Sequence, residues 1–294
     1  MRLSGRWVDA WALLLALALL IGAIVVWSSP RHRAFYVGGT SGGRPGANPS
    51  RGSLGPAPAP VAVAPPGSPG AHPMVPDADG RIRLRVADRV PARLPADGVP
   101  PGWATKEFVG RASIELVRDG TLLALRLRSE QTSFALYRDV VVDPHEFRFL
   151  AWSWKVVILP DAGDVRERAR DDQAVQLYVI FPRWPSPLTK SDVIGYVWDS
   201  RAPVGTRVTS SQAGNVKIIV VASGDAERGT WRLEQRDVIQ DYVALFGRRA
   251  PRIGRVAVMI DTNDTRGTAE AFVGDIVFAR TRVENMEMPT SMLR

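Results

Sequence analysis

From Arg81 onward the chain is written in short runs whose apolar residues fall at every second position, and this period limits the fold more than any other feature. The runs are RIRLRV, SIELV, LLALRLRS, FRFLAWSWKVVI, AVQLYVIF, VIGYVW, VKIIVVAS, RVAVMID and EAFVGDIVFA. Period-2 alternation rich in Val, Ile and aromatic residues belongs to strands with one buried face. Nine such runs, separated by turns such as Arg118-Asp119-Gly120, predict a mainly β domain, an antiparallel β-sandwich of jelly-roll type. One helix interrupts them: Val238, Ile239, Tyr242, Val243, Leu245 and Phe246 recur at helical spacing, with Asp237 and Gln240 as a capping pair and Gly247 at the end. A second short helix is expected after Asp164, with Glu167 three residues on.

The first 80 residues are of a different kind. Ala10 to Trp27 is an uncharged stretch of 18 residues, which as a helix would be about 27 Å long and so matches the hydrocarbon of a bilayer. Trp7, Trp11 and Trp27 stand near its ends, where indole rings prefer the headgroups. A cleaved signal peptide with Arg2 and Arg6 in its n-region is the rival reading, and the length of the run favours an uncleaved anchor. Arg2 and Arg6 on one side face Arg31 and Arg33 on the other, so charge alone leaves the orientation open. The following Pro/Gly/Ala-rich segment has too few large apolar residues to offset its ordering entropy and reads as a spacer, although its PAPAP run is also of a kind that docks on partners. Extended at about 3 Å per residue, it would hold a domain on the order of 100 Å from the membrane. The expected organisation is thus a short basic N-terminus (1–9), an anchor (10–27), a disordered linker (28–80), a sandwich domain (81–285) and a flexible tail (286–294).

Composition removes several chemistries. The chain has no cysteine, which excludes disulfides, thiolate metal sites and cysteine nucleophiles. Its three histidines include only His145 within the sandwich, so no histidine cluster can bind zinc or iron there, and a Ser-His-Asp triad would depend on that one residue beside the turn Asp143-Pro144. The net charge of +8 is carried by arginines interspersed with acids rather than by a dense basic stripe, so no nucleic-acid partner is expected.

The runs Trp152-Ser153-Trp154-Lys155, Asp171-Asp172-Gln173-Ala174, Tyr196-Val197-Trp198, Arg236-Asp237-Val238 with Asp241-Tyr242 and Phe246-Gly247, and Met259-Ile260-Asp261-Thr262-Asn263 followed by Gly274-Asp275-Ile276 form a distinctive combination. Together they resemble a bacterial envelope family, the domain of unknown function 3047. The resemblance spans most of residues 150 to 278 and implies a bacterial protein exported from the cytoplasm, with its globular domain in the periplasm and its anchor in the inner membrane. It implies no reaction and no ligand.

Candidate binding residues follow from shared strand faces. Trp152 and Trp154 lie two apart, as do Tyr196 and Trp198, and such pairs either stack sugars on an open face or fill the core between sheets. In the run after Asp171, alternation puts Asp172, Ala174, Gln176 and Tyr178 on one face and the greasier Val175, Leu177, Val179 and Phe181 on the other, so the first face is either a polar cleft or a solvated surface. Asp261, Asn263 and Asp264 alternate oxygen-bearing side chains in the manner of a calcium loop. The segment fails the EF-hand pattern at Arg266 and Phe272, which leaves calcium in another geometry or a plain turn. Glu234, Asp199 and Glu270 are carboxylates available for glycoside cleavage, but strand spacing selects no pair among them.

The resulting expectation is a membrane-anchored, non-catalytic sandwich that binds a glycan or other polar polymer through Trp152, Trp154, Asp172, Gln176, Tyr178, Tyr196, Trp198 and Asp261. Its alternatives are a carbohydrate-active hydrolase with paired carboxylates, and a structural or assembly protein docking a protein partner.

Overall fold

A computed structural model describes residues 74–183, 191–284 and 286. Each of the nine alternating runs is a strand, and five further strands join them to make two seven-stranded sheets.

The first sheet runs in the order β12 (Arg232–Asp237), β7 (Phe149–Ile158), β14 (Thr268–Ala279), β5 (Leu122–Glu130), β4 (Ser113–Asp119) and β2 (Ala96–Asp97), with β1 (Ile82–Leu84) paired to β14. The second runs β10 (Arg207–Thr209), β11 (Val216–Ser223), β9 (Asp192–Asp199), β8 (Val175–Phe181), β13 (Ile253–Asp261), β6 (Ser133–Val142) and β3 (Ala104–Val109). The expected antiparallel pattern holds everywhere except between β11 and β9, which are parallel. The chain leaves β9, crosses through β10 and returns in the same direction, so the second sheet is mixed.

Alternation puts one face of each sheet inside. Leu150, Trp152, Trp154 and Val156 of β7 meet Val175, Leu177, Val179 and Phe181 of β8, Tyr196 and Trp198 of β9, and Val256, Val258 and Ile260 of β13 in one apolar core. On β8, Val175, Leu177, Val179 and Phe181 line this core as expected, but Ala174, expected on the other face, joins it, and that other face carries buried Gln176 and Ile180 beside Tyr178. The β-branched and aromatic content of these strands suits this interlayer, where each removed Å² of apolar surface is worth roughly 25 cal/mol.

The helix α1 spans Val238–Phe246. The Asp237 carboxylate accepts the Gln240 N–H at 3.1 Å, and Gly247, at φ 64°, takes the left-handed conformation that ends the helix. Its buried face is tied down by polar contacts: Tyr242 donates to Asp192, which Arg248 also holds at 2.6 Å, and Tyr196 donates to Asp241 at 3.0 Å. The second helix expected after Asp164 is reduced to a 3-10 turn at Arg168–Arg170. The Asp164 carboxylate is occupied by the Arg166 backbone and guanidinium rather than by a helix end.

Among the described residues no helix is long and apolar enough to cross a membrane. The anchor expected at 10–27, nearly all of the linker and the tail beyond Met286 lie outside the described residues.

Candidate functional site

The paired aromatics of the sequence reading face inward. Trp152, Trp154 and Tyr196 are 0 % exposed and Trp198 is 1 % exposed. Trp152 meets Trp154 edge-on at 5.3 Å and Tyr196 at 5.3 Å, while Trp154 meets Trp198 at 6.3 Å, so the four rings bridge the two sheets. Expected as ligand-stacking residues, they are core residues, because a pair spaced two apart shares a face and here that face is the one the opposing sheet covers.

The outer face of the second sheet carries a different aromatic arrangement. One register row crosses the whole sheet: Ala104 (β3), Tyr137 (β6), Ala257 (β13), Tyr178 (β8), Gly195 (β9), Ile218 (β11) and Val208 (β10). Small residues sit beside both tyrosines, and this is what lets the rings lie down. A side chain at Gly195 would bring its Cβ within 2.7 Å of the Tyr178 ring, so glycine there makes room for the ring to rest on the sheet. Both tyrosines are half-buried.

Charged groups flank this row on both sides. On the side toward the start of β13, the Arg255 guanidinium lies 4.1 Å from the centre of the Tyr137 ring and donates to Asp139 at 2.6 Å. Lys106, on the edge strand β3, shares the neighbouring register row of Ala135, Met259 and Gln176 on the other side and sits 5.3 Å from the Phe108 ring. Burial, and then the nearby Arg255 charge, hold the Lys106 ammonium below its ordinary range.

On the same side as Lys106 stands a group of carboxylates. Gln176 accepts a hydrogen bond from the Tyr178 hydroxyl, and next to them are Asp171, Asp172, Asp261 and Asp264. Asp172, three residues before β8, accepts the backbone N–H groups of Asp264 at 3.0 Å and Thr265 at 2.6 Å as well as the Thr265 hydroxyl. Its two oxygens thereby pin the turn after β13. Asp261 is 1 % exposed and takes one long bond from the Asn263 N–H at 3.3 Å.

The structure places the expected polar face of Asp172, Gln176 and Tyr178 beside the turn of Asp261, Asn263 and Asp264, three residues that the sequence pattern sets apart as candidate calcium ligands. Among the described residues no group of three or more His, Cys, Asp or Glu is arranged to hold a metal ion. Some of the turn's oxygens take part in the hydrogen bonds that shape it, while Asn263 Oδ1 and Asp264 Oδ2 are buried without a hydrogen-bond partner among the described residues.

Burial and mutual repulsion dominate these acids. Burial, with the charges of Asp264, Asp172 and Asp199, raises Asp171 to about 7, and burial with the charges of Asp172, Asp264 and Asp171 lifts Asp261 well above its ordinary value. A carboxylate whose folded pKa is raised binds more protons folded than unfolded, so stability falls as pH climbs through the interval between the two values. For Asp171 that interval runs from about 4 in the unfolded chain to about 7 in the fold. Thermal unfolding followed by circular dichroism is therefore expected to give a higher midpoint at pH 5 than at pH 8, with a shallower slope in Asp171→Asn. A midpoint that rises over this range would contradict the arrangement.

The carboxylates considered for glycoside cleavage are separately engaged. Asp199 accepts three backbone N–H groups, from Val165, Arg201 and Ala202. Glu270 pairs with Arg126 and Arg128 on the first sheet, and Glu234 with Arg232 on β12. They do not share a cleft. His145 Nε2 lies 3.0 Å from the Ala250 carbonyl oxygen, which can only accept, and its neighbour is Arg249 rather than a serine.

Sequence reasoning missed Tyr137, Phe108, Lys106, Arg255 and Gly195. The signal for Tyr137 was present: in Ser133-Phe134-Ala135-Leu136-Tyr137 it alternates against Phe134 and Leu136 just as Tyr178 alternates against Leu177 and Val179.

No curated protein matches the chain. Among solved structures it is similar to a family 11 carbohydrate-binding module of a cellulosomal cellulase from Clostridium thermocellum, at 9 % identity and a TM-score of 0.37, covering 71 % of this chain and 100 % of that one. It is also similar to the xyloglucanase domain of a type three effector from Sinorhizobium fredii, at 10 % identity and a TM-score of 0.35, over 63 % of this chain and 97 % of that one. A third is the family 11 xylanase from Neocallimastix patriciarum, at 10 % identity and a TM-score of 0.31, over 67 % of this chain and 95 % of that one. None of these likenesses carries an argument about what this chain binds. The family model described as "Protein of unknown function (DUF3047)" matches residues 101–277, and the chain belongs to that family.

Proposed function

We propose that this domain binds an envelope polysaccharide without cleaving it, along the tyrosine row on the outer face of the second sheet. The observation that carries the reading is the row itself, with Tyr137 and Tyr178 lying on a sheet whose intervening residue is Ala257. Two strands apart, the tyrosines are separated by about 10 Å, close to the length of a disaccharide in an extended chain. Sugar rings present C–H faces to aromatic rings and hydroxyls to the groups at their edges. Arg255 on one side, and Lys106, Gln176 and the Asp171 carboxyl on the other, supply those edges. The reading takes residues 10–27 as an inner-membrane anchor that holds the domain in the periplasm, and it uses no metal.

A hydrolase needs two carboxyls facing one open cleft, and Asp199, Glu234 and Glu270 are each bound elsewhere. A protein-docking role would be favoured by a contiguous apolar patch. The large apolar residues exposed among the described residues are instead scattered: Val75, Val90, Val99, Ile158, Val204 and Val243.

Affinity electrophoresis of the full chain in gels containing soluble envelope polysaccharides or β-glucans tests the proposal. At least one polysaccharide is expected to retard the protein, and Tyr178→Ala to weaken that binding about tenfold, the effect of roughly 1.4 kcal/mol of lost stacking. Failure of every polysaccharide to retard the chain, or equal retardation of Tyr178→Ala and Tyr137→Ala variants, would sink it.

A further inference from the structure

On the opposite side of the sandwich, the outer face of the first sheet contains a cavity of about 210 Å³ lined by Arg83, Arg85, Ser153, Asp275, Leu122 and Met286 among others. Its origin is a bulge in β14. The register of β14 against β7 shifts between Val273 and Ile276, which turns Asp275 outward to accept the Val86 N–H at 2.9 Å. At Gly274 a Cβ would come within 2.3 Å of the Ser153 Oγ, so only glycine leaves room for that hydroxyl.

Two polar groups of this cavity make no side-chain hydrogen bond among the described residues. Ser153 is 1 % exposed and its Oγ makes no hydrogen bond. Buried hydroxyls are almost always paired, so an orphan on the wall of a cavity marks a place for a ligand atom or an ordered water. The second is Arg85. Asp88 is held by both terminal nitrogens of Arg138, at 2.8 and 3.0 Å, and Asp275 is shared between the Val86 N–H and Arg83 at 3.5 Å. With both lining acids engaged, the Arg85 guanidinium, whose charge also acts on Asp275, is the one lining cation that makes no ion pair, in a lining whose two arginines balance its two aspartates.

We propose that this cavity is a second binding site, taking one small carboxylate anion of the size of an acidic monosaccharide, with Arg85 pairing the carboxylate and the Ser153 hydroxyl completing the inner wall. The volume suits such a ligand: it equals that of roughly seven liquid waters, too little for an oligosaccharide and ample for one ring. A planar carboxylate matches the guanidinium fork in a way that a tetrahedral anion does not require. Val86, Leu122 and Met286 offer apolar surface to the rest of the ring. The site is independent of the tyrosine row, since the two occupy outer faces of different sheets.

Isothermal titration calorimetry of the full chain with sodium glucuronate tests the assignment, with glucose and inorganic phosphate as comparison ligands. Glucuronate is expected to bind saturably and glucose not at all. Arg85→Gln should weaken glucuronate binding about tenfold to a hundredfold, the range for a hydrogen bond to a charged group, while Arg85→Lys retains part of it. Arg85 is exposed, so both variants are expected to fold, and unchanged thermal midpoints check this. Retardation by polysaccharide, read in parallel, should be the same in Arg85→Gln as in the unaltered chain, which separates failure here from failure of the tyrosine row. The absence of saturable heat with glucuronate, equal affinity in Arg85→Gln, or phosphate binding as tightly as glucuronate would each overturn the proposal.

Discussion

Trp154→Ala is expected to destabilise the domain by about 3–5 kcal/mol, the range for removing a large aromatic ring from a core that only partly collapses around the vacancy. The ring is 0 % exposed, stands edge-on to Trp152 at 5.3 Å within its own strand and meets Trp198 of the other sheet at 6.3 Å. Its loss removes apolar burial and one of the contacts that fasten the two sheets together. Urea unfolding monitored by far-UV circular dichroism measures the effect as a drop in midpoint at unchanged slope. The outcome also separates two roles for the same residue. A surface platform for a sugar would leave the fold intact and abolish binding, whereas a core residue does the reverse: the fraction that remains folded should bind polysaccharide with the original affinity. A loss below about 1 kcal/mol would be incompatible with a fully packed ring.

Asp172→Ala is expected to be nearly as damaging, at about 3 kcal/mol, because one buried carboxylate serves three donors on a segment far away in sequence. The Asp264 and Thr265 N–H groups and the Thr265 hydroxyl would lose their acceptor together, and the turn after β13 would lose its shape. Hydrogen exchange at residues 264 and 265 should accelerate well before the sheets open. Asp172→Asn separates two effects of the side chain. It keeps one oxygen for the turn and removes the negative charge that raises Asp171, Asp261 and Asp264, so above pH 7 it should cost less than the alanine variant. If Asp172 were instead a calcium ligand, adding EDTA to the unaltered protein would reproduce the loss. The hydrogen-bonding role predicts that EDTA leaves the unfolding midpoint where it was.

These two residues also show what a sequence of this kind makes legible. The strand runs were readable because half-buried strands repeat at two residues, and that repeat survives whatever the neighbours are. The helix was readable because its capping aspartate, its apolar spacing and its terminal glycine are all local. Strands without a strong apolar alternation, such as β3 and β12, carried no such mark, and their assignment came from pairing to β6 and β7. The same contrast holds for the candidate site. Asp172, Gln176, Tyr178 and Asp261 stood out, while Tyr137, Lys106 and Arg255 joined them only through the register of β6, β3 and β13.

By itself, then, the sequence determined the β class, the place of the α-helix at 238–246 and which residues of each strand share a face, since each follows from backbone periodicity and local hydrogen bonding. Which of the two faces turns inward was decided by tertiary structure. Trp152 with Trp154, and Tyr137 with Ala135, obey the same alternation, and only the opposing sheet makes the first pair core and puts the second on the outer face. The tyrosine row and the Asp172 clamp join residues 41 to 120 positions apart: Tyr137 to Tyr178, Tyr137 to Ala257, and Asp172 to Thr265. Such neighbours are fixed by strand register, which no local pattern encodes, because register is set by packing all the strands of a sheet at once.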